Sequence, residues 1–151
     1  FQFMPSTMKN YAIDYDKNSY IDLKNNNDAY ASAANYLNKI GWKDDQPCFY
    51  KINLSNKVPK KYLNVSAKKL HNKKKLNYFK KYIVNDDILD KRFDNLTAAL
   101  ITPDKDIIPN AENLSPAYIV FNNYEIILKW NRSLRFSLAV CTLKDKFKDE
   151  L

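Results

Sequence analysis

Apolar positions near the carboxyl end keep a helical period: Phe136, Ala139, Val140, Leu143 and Phe147 fall at i, i+3, i+4, i+7 and i+11. That spacing predicts a terminal helix that starts near Ser133, uses Ser133 as its cap and buries this stripe. A second helix is expected from Asn27 or Asp28 to about Ile40, with Ala29, Ala33, Tyr36, Leu37 and Ile40 on one face and Gly41 as its stop. Pro5 followed by Ser6-Thr7-Met8 reads as the first turn of a short helix that ends before Asp14. Leu70, Leu76, Phe79 and Ile83 space one or two further helices whose other faces are lysine. Cys48 to Leu54, Leu96 to Ile101 and Ala117 to Phe121 read as strands, the last two joined by a polar connector from Asp104 to Ser115. The pattern gives an α+β fold, mainly helical, in which a small β lobe separates two helical parts.

Composition narrows the class. In 151 residues, 45% hydrophobic and 14% aromatic content exclude a disordered chain. No apolar run approaches the roughly 18 residues of a membrane helix, so no transmembrane segment is expected. The first residue is Phe, so a preceding segment is expected, and no signal peptide or lipobox is visible. Cys48 and Cys141 have no C-x-x-C partner for zinc or redox work and are read as two small buried hydrophobes, one bridge being the alternative. Ten lysines and no acidic residue lie between Lys57 and Lys81, and this stretch accounts for the whole net charge of +8. It would draw a polyanion, a nucleic acid or an anionic wall polymer, or else it is a solvated face; the scarcity of Arg favours the solvated face, and no specific nucleic-acid partner is expected. His71, the sole histidine, stands among lysines without a partner at ligand spacing and reads as a surface residue.

Three words carry candidate chemistry. Asp14, Asp16 and Asn18 offer oxygens at alternate positions, followed by the carbonyl of Tyr20, the order in which a loop wraps a hard cation. As an EF-hand the loop is imperfect, with Ser19 at the glycine position and Asn25 at the place of the bidentate Glu; without metal it reads as an Asx-rich turn that caps a helix. Gln2-Phe3-Met4-Pro5-Ser6 and Trp130-Asn131-Arg132-Ser133 each set an amide beside an aromatic at a helix start; Gln2 has both a donor and an acceptor, and taken alone both words read as helix starts without a ligand.

In this order, with Asn35-Tyr36, Gly41-Trp42 and Phe121-Asn122-Asn123-Tyr124 between them, these words resemble the catalytic domain of the lytic murein transglycosylase B family. The resemblance covers nearly the whole chain and is loose from Lys57 to Leu96. It implies the C-terminal portion of a lysozyme-like transglycosylase domain, divided into groove helices and an EF-hand-like loop at 1–42, a basic α/β lobe at 43–122 and a C-terminal groove helix at 123–151. It implies sugar-binding roles for Gln2, Phe3, Asn35, Tyr36, Trp130, Asn131 and Phe136. It also implies a structural calcium ion held by Asp14, Asp16, Asn18, the carbonyl of Tyr20 and Asp28, which stands where the family places its closing carboxylate.

The implied activity is cleavage of the MurNAc–GlcNAc β-1,4 bond of peptidoglycan glycan strands, with a 1,6-anhydromuramoyl product, in cell-wall turnover. One Glu serves as acid and then as base, in a Glu-Ser context that lies upstream of the Gln segment. Glu112, Glu125 and Glu150 are the glutamates present, and none has that context. No catalytic residue is therefore assigned, and the chain alone is expected to be inactive. A periplasmic or envelope-associated monomer follows from the same resemblance. The alternatives are a noncatalytic glycan-binding or remnant module and, further off, a basic nucleic-acid-binding domain.

Overall fold

The structure, a computed structural model, describes residues 3–103 and 116–150. The expected connector from Asp104 to Ser115 lies outside the described residues. Two compact units divide the chain, Phe1–Lys43 and Asp44–Leu151.

The first unit holds α1 (Pro5–Tyr11) and α2 (Asn26–Lys39). Pro5 at the first turn presets φ for α1, whose end is marked by the 3.0 Å bond from Ala12 N–H to Met8 O. The cap of α2 is Asn25, earlier than expected: its side-chain oxygen accepts from Asn27 N–H at 3.0 Å, so Asn27 and Asp28 lie inside the first turn. Gly41 ends the helix at φ +103°. Its N–H bonds Asn38 O and the next N–H, of Trp42, bonds Leu37 O, both at 3.0 Å, the paired closure that a left-handed glycine permits.

The second unit is built on a five-stranded sheet of order β1-β5-β4-β2, with β3 also on β4. Its strands are β1 (Phe49–Ile52), β2 (Leu63–Asn64), β3 (Lys74–Lys75), β4 (Thr97–Ile101) and β5 (Ala117–Val120). All pairs are antiparallel except β2 with β4. The central β4 is buried from Ala98 to Ile101 without alternation, as a strand covered on both faces requires. Leu100, Ile119, Leu76, Phe79 and Phe121 centre the core, each at most 1% exposed.

The lysine-rich region differs from expectation. Its apolar positions Leu70, Leu76, Phe79 and Ile83 are buried as predicted. The backbone there forms just one short helix, α3 (Leu76–Lys80), with β3, 3-10 turns and loops in place of a longer helix.

Helices α4 (Asn122–Trp130) and α5 (Leu134–Glu150) complete the unit. Ser133 caps α5 as expected, its Oγ accepting from Phe136 N–H at 3.2 Å. The predicted buried stripe of α5 is overturned: Phe136, Leu143 and Phe147 are 38%, 53% and 57% exposed, whereas Leu134, Ser137 and Cys141 are buried. The cysteines are overturned too, in one respect. Both are buried, and they are joined as a Cys48–Cys141 disulfide that ties α5 to the entry of β1.

Candidate functional site

Within the first unit, the acidic loop is organised by α2. Asp28, fully buried in the first helical turn, accepts the N–H of Tyr15 on Oδ1 and of Asp22 on Oδ2, each at 2.9 Å. These bonds to Asp22 and Tyr15 hold its carboxyl below the usual carboxylate range, against the opposing effect of burial. Ser32 and Asn35 continue the same face at i+4 and i+7. The Oγ of Ser32 accepts from Ile13 N–H at 3.0 Å, and Nδ2 of Asn35 donates to Tyr11 O at 2.8 Å. A polar ladder on one helix face thereby binds the main chain of residues 11–15 and 22.

That ladder holds the main chain of the loop that carries the carboxylates. Carboxylate oxygens of Asp14, Asp16 and Asp28 lie within 4.8 Å of one another. Asp14 accepts from Ser19 N–H at 2.8 Å and Asn18 Oδ1 from Tyr20 N–H at 2.8 Å, which curls the chain around the same point. Ser19 has φ +71° and Lys17 φ +60°. The position where an EF-hand carries glycine is thus left-handed here as well, and Ser19 adopts it in spite of its Cβ. A buried carboxylate, two more carboxylates and an amide oxygen form a hard, all-oxygen donor set that suits calcium.

Of the predicted sugar-binding residues, Gln2 lies outside the described residues. Phe3 and Tyr11 meet the edge or face of Tyr36, with ring centroids 6.4 and 5.0 Å from it. Asn35 is committed through its amide N–H to Tyr11, as above.

In the second unit, Trp130 ends α4, Asn131 lies in the turn after it and Phe136 lies in the first turn of α5. Asn131 N–H bonds Ile127 O at 3.0 Å and Ser133 N–H bonds Asn131 O at 2.8 Å, so the turn is tight. Asn131 and Phe136 are exposed, and Trp130 is half-buried.

Sequence reading missed what stands beside this corner. The exposed face of α4 and the loop at 67–73 enclose a pocket of about 460 Å3, with Arg132 in its wall. The loop is clamped by Asn64, a residue that hydropathy marks merely as polar. Its Oδ1 accepts from His71 N–H at 2.7 Å, and its Nδ2 donates to the main-chain oxygens of Tyr62, His71 and Leu100. Glu125, the remaining glutamate with a described side chain, receives Lys73 Nζ on both carboxylate oxygens at 2.9 and 3.0 Å. His71 is exposed, as expected.

Other lysines meet rings or a carboxylate. Lys81 lies over the rings of Tyr78 and Tyr82, at 4.1 and 5.0 Å from their centroids, Lys61 lies over Tyr62, and Lys80 pairs with Asp94. The ring cluster itself is joined by a 2.8 Å bond between the hydroxyls of Tyr62 and Tyr78; this bond, together with burial, pushes the Tyr62 phenol up to about 12.

A mixed helix and sheet fold carrying these words defines the class. The Transglycosylase SLT domain family matches residues 1–145, and the chain belongs to this lytic murein transglycosylase family. SltB3 from Pseudomonas aeruginosa, solved in complex with NAG-anhNAM-pentapeptide, is 31% identical with a TM-score of 0.81, over 97% of this chain and 37% of SltB3. Membrane-bound lytic murein transglycosylase B of Escherichia coli (strain K12) is 48% identical over 46 residues, 30% of this chain and 13% of that protein. Escherichia coli Slt35 in complex with calcium shares the lysozyme-like fold at 21% identity and TM-score 0.66, over 94% of this chain and 41% of that one. The chain thus spans well under half of these relatives. Among the described residues no helix is long and apolar enough to cross a membrane.

Proposed function

We propose that this chain contributes glycan-binding surface to a peptidoglycan lytic transglycosylase of the bacterial envelope, acting on strands whose muramoyl residues carry peptides. The observation that carries the reading is the likeness to SltB3, whose crystal holds a NAG-anhNAM-pentapeptide, over 97% of this chain. In the proposed reaction a Glu outside this sequence protonates the oxygen between MurNAc and GlcNAc. The same carboxylate then takes the proton of the muramoyl 6-hydroxyl as that oxygen attacks the anomeric carbon, closing the 1,6-anhydro ring without water. Glu125 is a poor substitute, because the Lys73 ammonium engages both of its oxygens.

Trp130 and Phe136 offer ring faces to pyranose rings, and the exposed amide of Asn131 offers a donor and an acceptor to the acetamido group. In the first unit, Gln2, Phe3, Asn35 and Tyr36 are the residues proposed to bind glycan. Asp14, Asp16, Asn18, the Tyr20 carbonyl and Asp28 would hold a calcium ion, which would neutralise the clustered carboxylates. The protein acts as a monomer in the periplasm or at the envelope, a location favoured by the Cys48–Cys141 disulfide, since such bonds persist in oxidising compartments.

The test is co-sedimentation of the 151-residue chain with purified peptidoglycan sacculi, followed by analysis of the soluble products. The expected result is binding, weakened about tenfold or more by Asn131→Ala together with Trp130→Ala, with no muropeptide released. Release of muropeptides that stops on Glu125→Gln would overturn the assignment of the proton donor.

A further inference from the structure

The pocket between α4 and the loop at 67–73 is chemically lopsided. Five basic side chains, Lys68, Lys69, Lys73, Lys129 and Arg132, line it with a single carboxylate, Glu125. Lys73 is engaged by Glu125. Among the described residues the other four meet no carboxylate at ion-pair distance. Four cations gathered round one hollow repel one another, and an anion in the hollow relieves that repulsion.

We infer that this pocket binds the carboxylate end of the peptide carried by the muramoyl residue, beside the sugar-binding corner. The inference rests on the proposed function and adds to it the place where the peptide is read. Position supports it: Arg132, in the pocket wall, directly follows Asn131 in the turn between α4 and α5. Lining supports it as well. Ala67, Leu70 and Leu128 give the hollow apolar walls, which suit short aliphatic side chains. Arg132 supplies a planar fork that matches a carboxylate through two parallel N–H bonds.

Glu125 separates this ligand from a polyphosphate. Its charge is paired with Lys73, but the carboxylate keeps lone pairs that accept the ammonium or amide N–H groups of a peptide, groups that a phosphate chain lacks. The mixed lining therefore favours a peptide over an anionic polymer such as a nucleic acid or a glycerol phosphate chain. The loop that presents Lys68 and Lys69 is held by Asn64 at its His71 end.

The experiment compares five probes on the full chain by calorimetry: a GlcNAc-MurNAc tetrasaccharide without peptide, the same glycan with a pentapeptide on each MurNAc, the glycan whose peptides end in an amide, the free pentapeptide and inorganic polyphosphate. The expected result is that the pentapeptide form binds about tenfold more tightly than the bare glycan. Amidation and the double substitution Lys69→Gln, Arg132→Gln each reduce that advantage to about twofold or less, with bare-glycan affinity unchanged. A matched loss of charge outside the pocket, Lys57→Gln with Lys60→Gln, leaves the advantage intact. Equal affinity for peptide-bearing and bare glycan, or an advantage that survives in the pocket variant, overturns the inference while leaving the glycan-binding reading in place. Binding of the free pentapeptide without binding of any glycan sinks the glycan reading and keeps the pocket assignment; failure of both ligands sinks both. Tighter binding of inorganic polyphosphate than of the free pentapeptide reassigns the pocket to polyanions and overturns the inference.

Discussion

The phenol of Tyr124 donates a 2.7 Å hydrogen bond to the main-chain oxygen of Leu134. Tyr124 is fully buried in α4 and Leu134 opens α5, so this one bond fixes how the chain returns across Trp130–Ser133. Burial raises the pKa of the Tyr124 phenol, which keeps the donor proton in place throughout the neutral range. Tyr124→Phe removes the donor without creating a cavity, and the expected loss is about 1–2 kcal/mol in urea unfolding. Glycan affinity should fall alongside it if the corner binds sugar, because the turn that carries Asn131 loses its anchor.

A second staple acts on the same helix. Cys48 and Cys141 are 93 residues apart and close most of the second unit into one loop. Cross-linking a loop of that length restricts the unfolded chain, and Cys141→Ala is expected to cost about 2–5 kcal/mol. The measurement is unfolding with and without reductant: the natural chain loses stability on reduction, and the Cys141→Ala chain shows no reductant effect.

The outcomes for the fold divide along physical lines. The strands at 96–101 and 117–121 were readable as short apolar runs, and the one at 48–54 from its alternation with aromatics and β-branched Ile52. Two-residue strands such as Lys74–Lys75 have no period to read; they pair through main chain at a sheet edge, where lysine is as good as any residue. For α5 the helix was legible and its buried face was not. Period identifies an amphipathic stripe by hydropathy, yet the face packed inward is the small one, Ser137 and Cys141, and the large rings point outward. At the candidate site, the Asp14 to Tyr20 loop was visible from carboxylate spacing. The ladder Asp28, Ser32 and Asn35 was not, because it bonds main chain remote in sequence. The cationic pocket escaped notice because Arg132 and Lys129 join the lysine loop only through the fold.

Asp28 makes the first unit sensitive to acid. Its folded pKa is depressed, so its stabilisation is complete above the unfolded value of 3.8 and is lost as pH falls through the lower folded value. Thermal melts followed by circular dichroism should therefore show a flat profile for this contribution near neutrality and a decline below about pH 4. Asp28→Asn keeps one acceptor, loses the other and abolishes the acid decline attributable to this group. With calcium the melting temperature should rise at pH 7, and chelation or Asp16→Asn should remove the rise. A calcium response that persists in an Asp14→Asn, Asp16→Asn double variant would place the ion elsewhere.

Asn64 tests whether the basic loop is held from below. Four hydrogen bonds converge on its buried amide, which joins Leu100 in β4 to His71 at the far end of the loop. Asn64→Ala leaves buried main-chain groups unsatisfied and is expected to cost about 2–4 kcal/mol. Amide exchange at 65–72 should rise by more than the global loss of stability accounts for. A uniform rise across the second unit would mean that the loop is ordered by other contacts.

The orientation of α5 can be decided by a pair of substitutions that the sequence pattern and the structure rank in opposite order. By pattern, Leu143 and Phe147 belong to the buried stripe, and replacing either with Ser should remove core packing. In the structure they are more than half exposed, whereas Leu134 is 6% exposed. Leu143→Ser and Phe147→Ser are therefore expected to change stability by no more than about 0.5 kcal/mol. Leu134→Ala should cost about 2–5 kcal/mol, the range for emptying a buried leucine site. Urea unfolding of the three variants measures both. If Leu143→Ser proves as costly as Leu134→Ala, the helix is rotated from the position described, Ser137 would face solvent, and the disulfide at Cys141 could not form without moving the entry of β1.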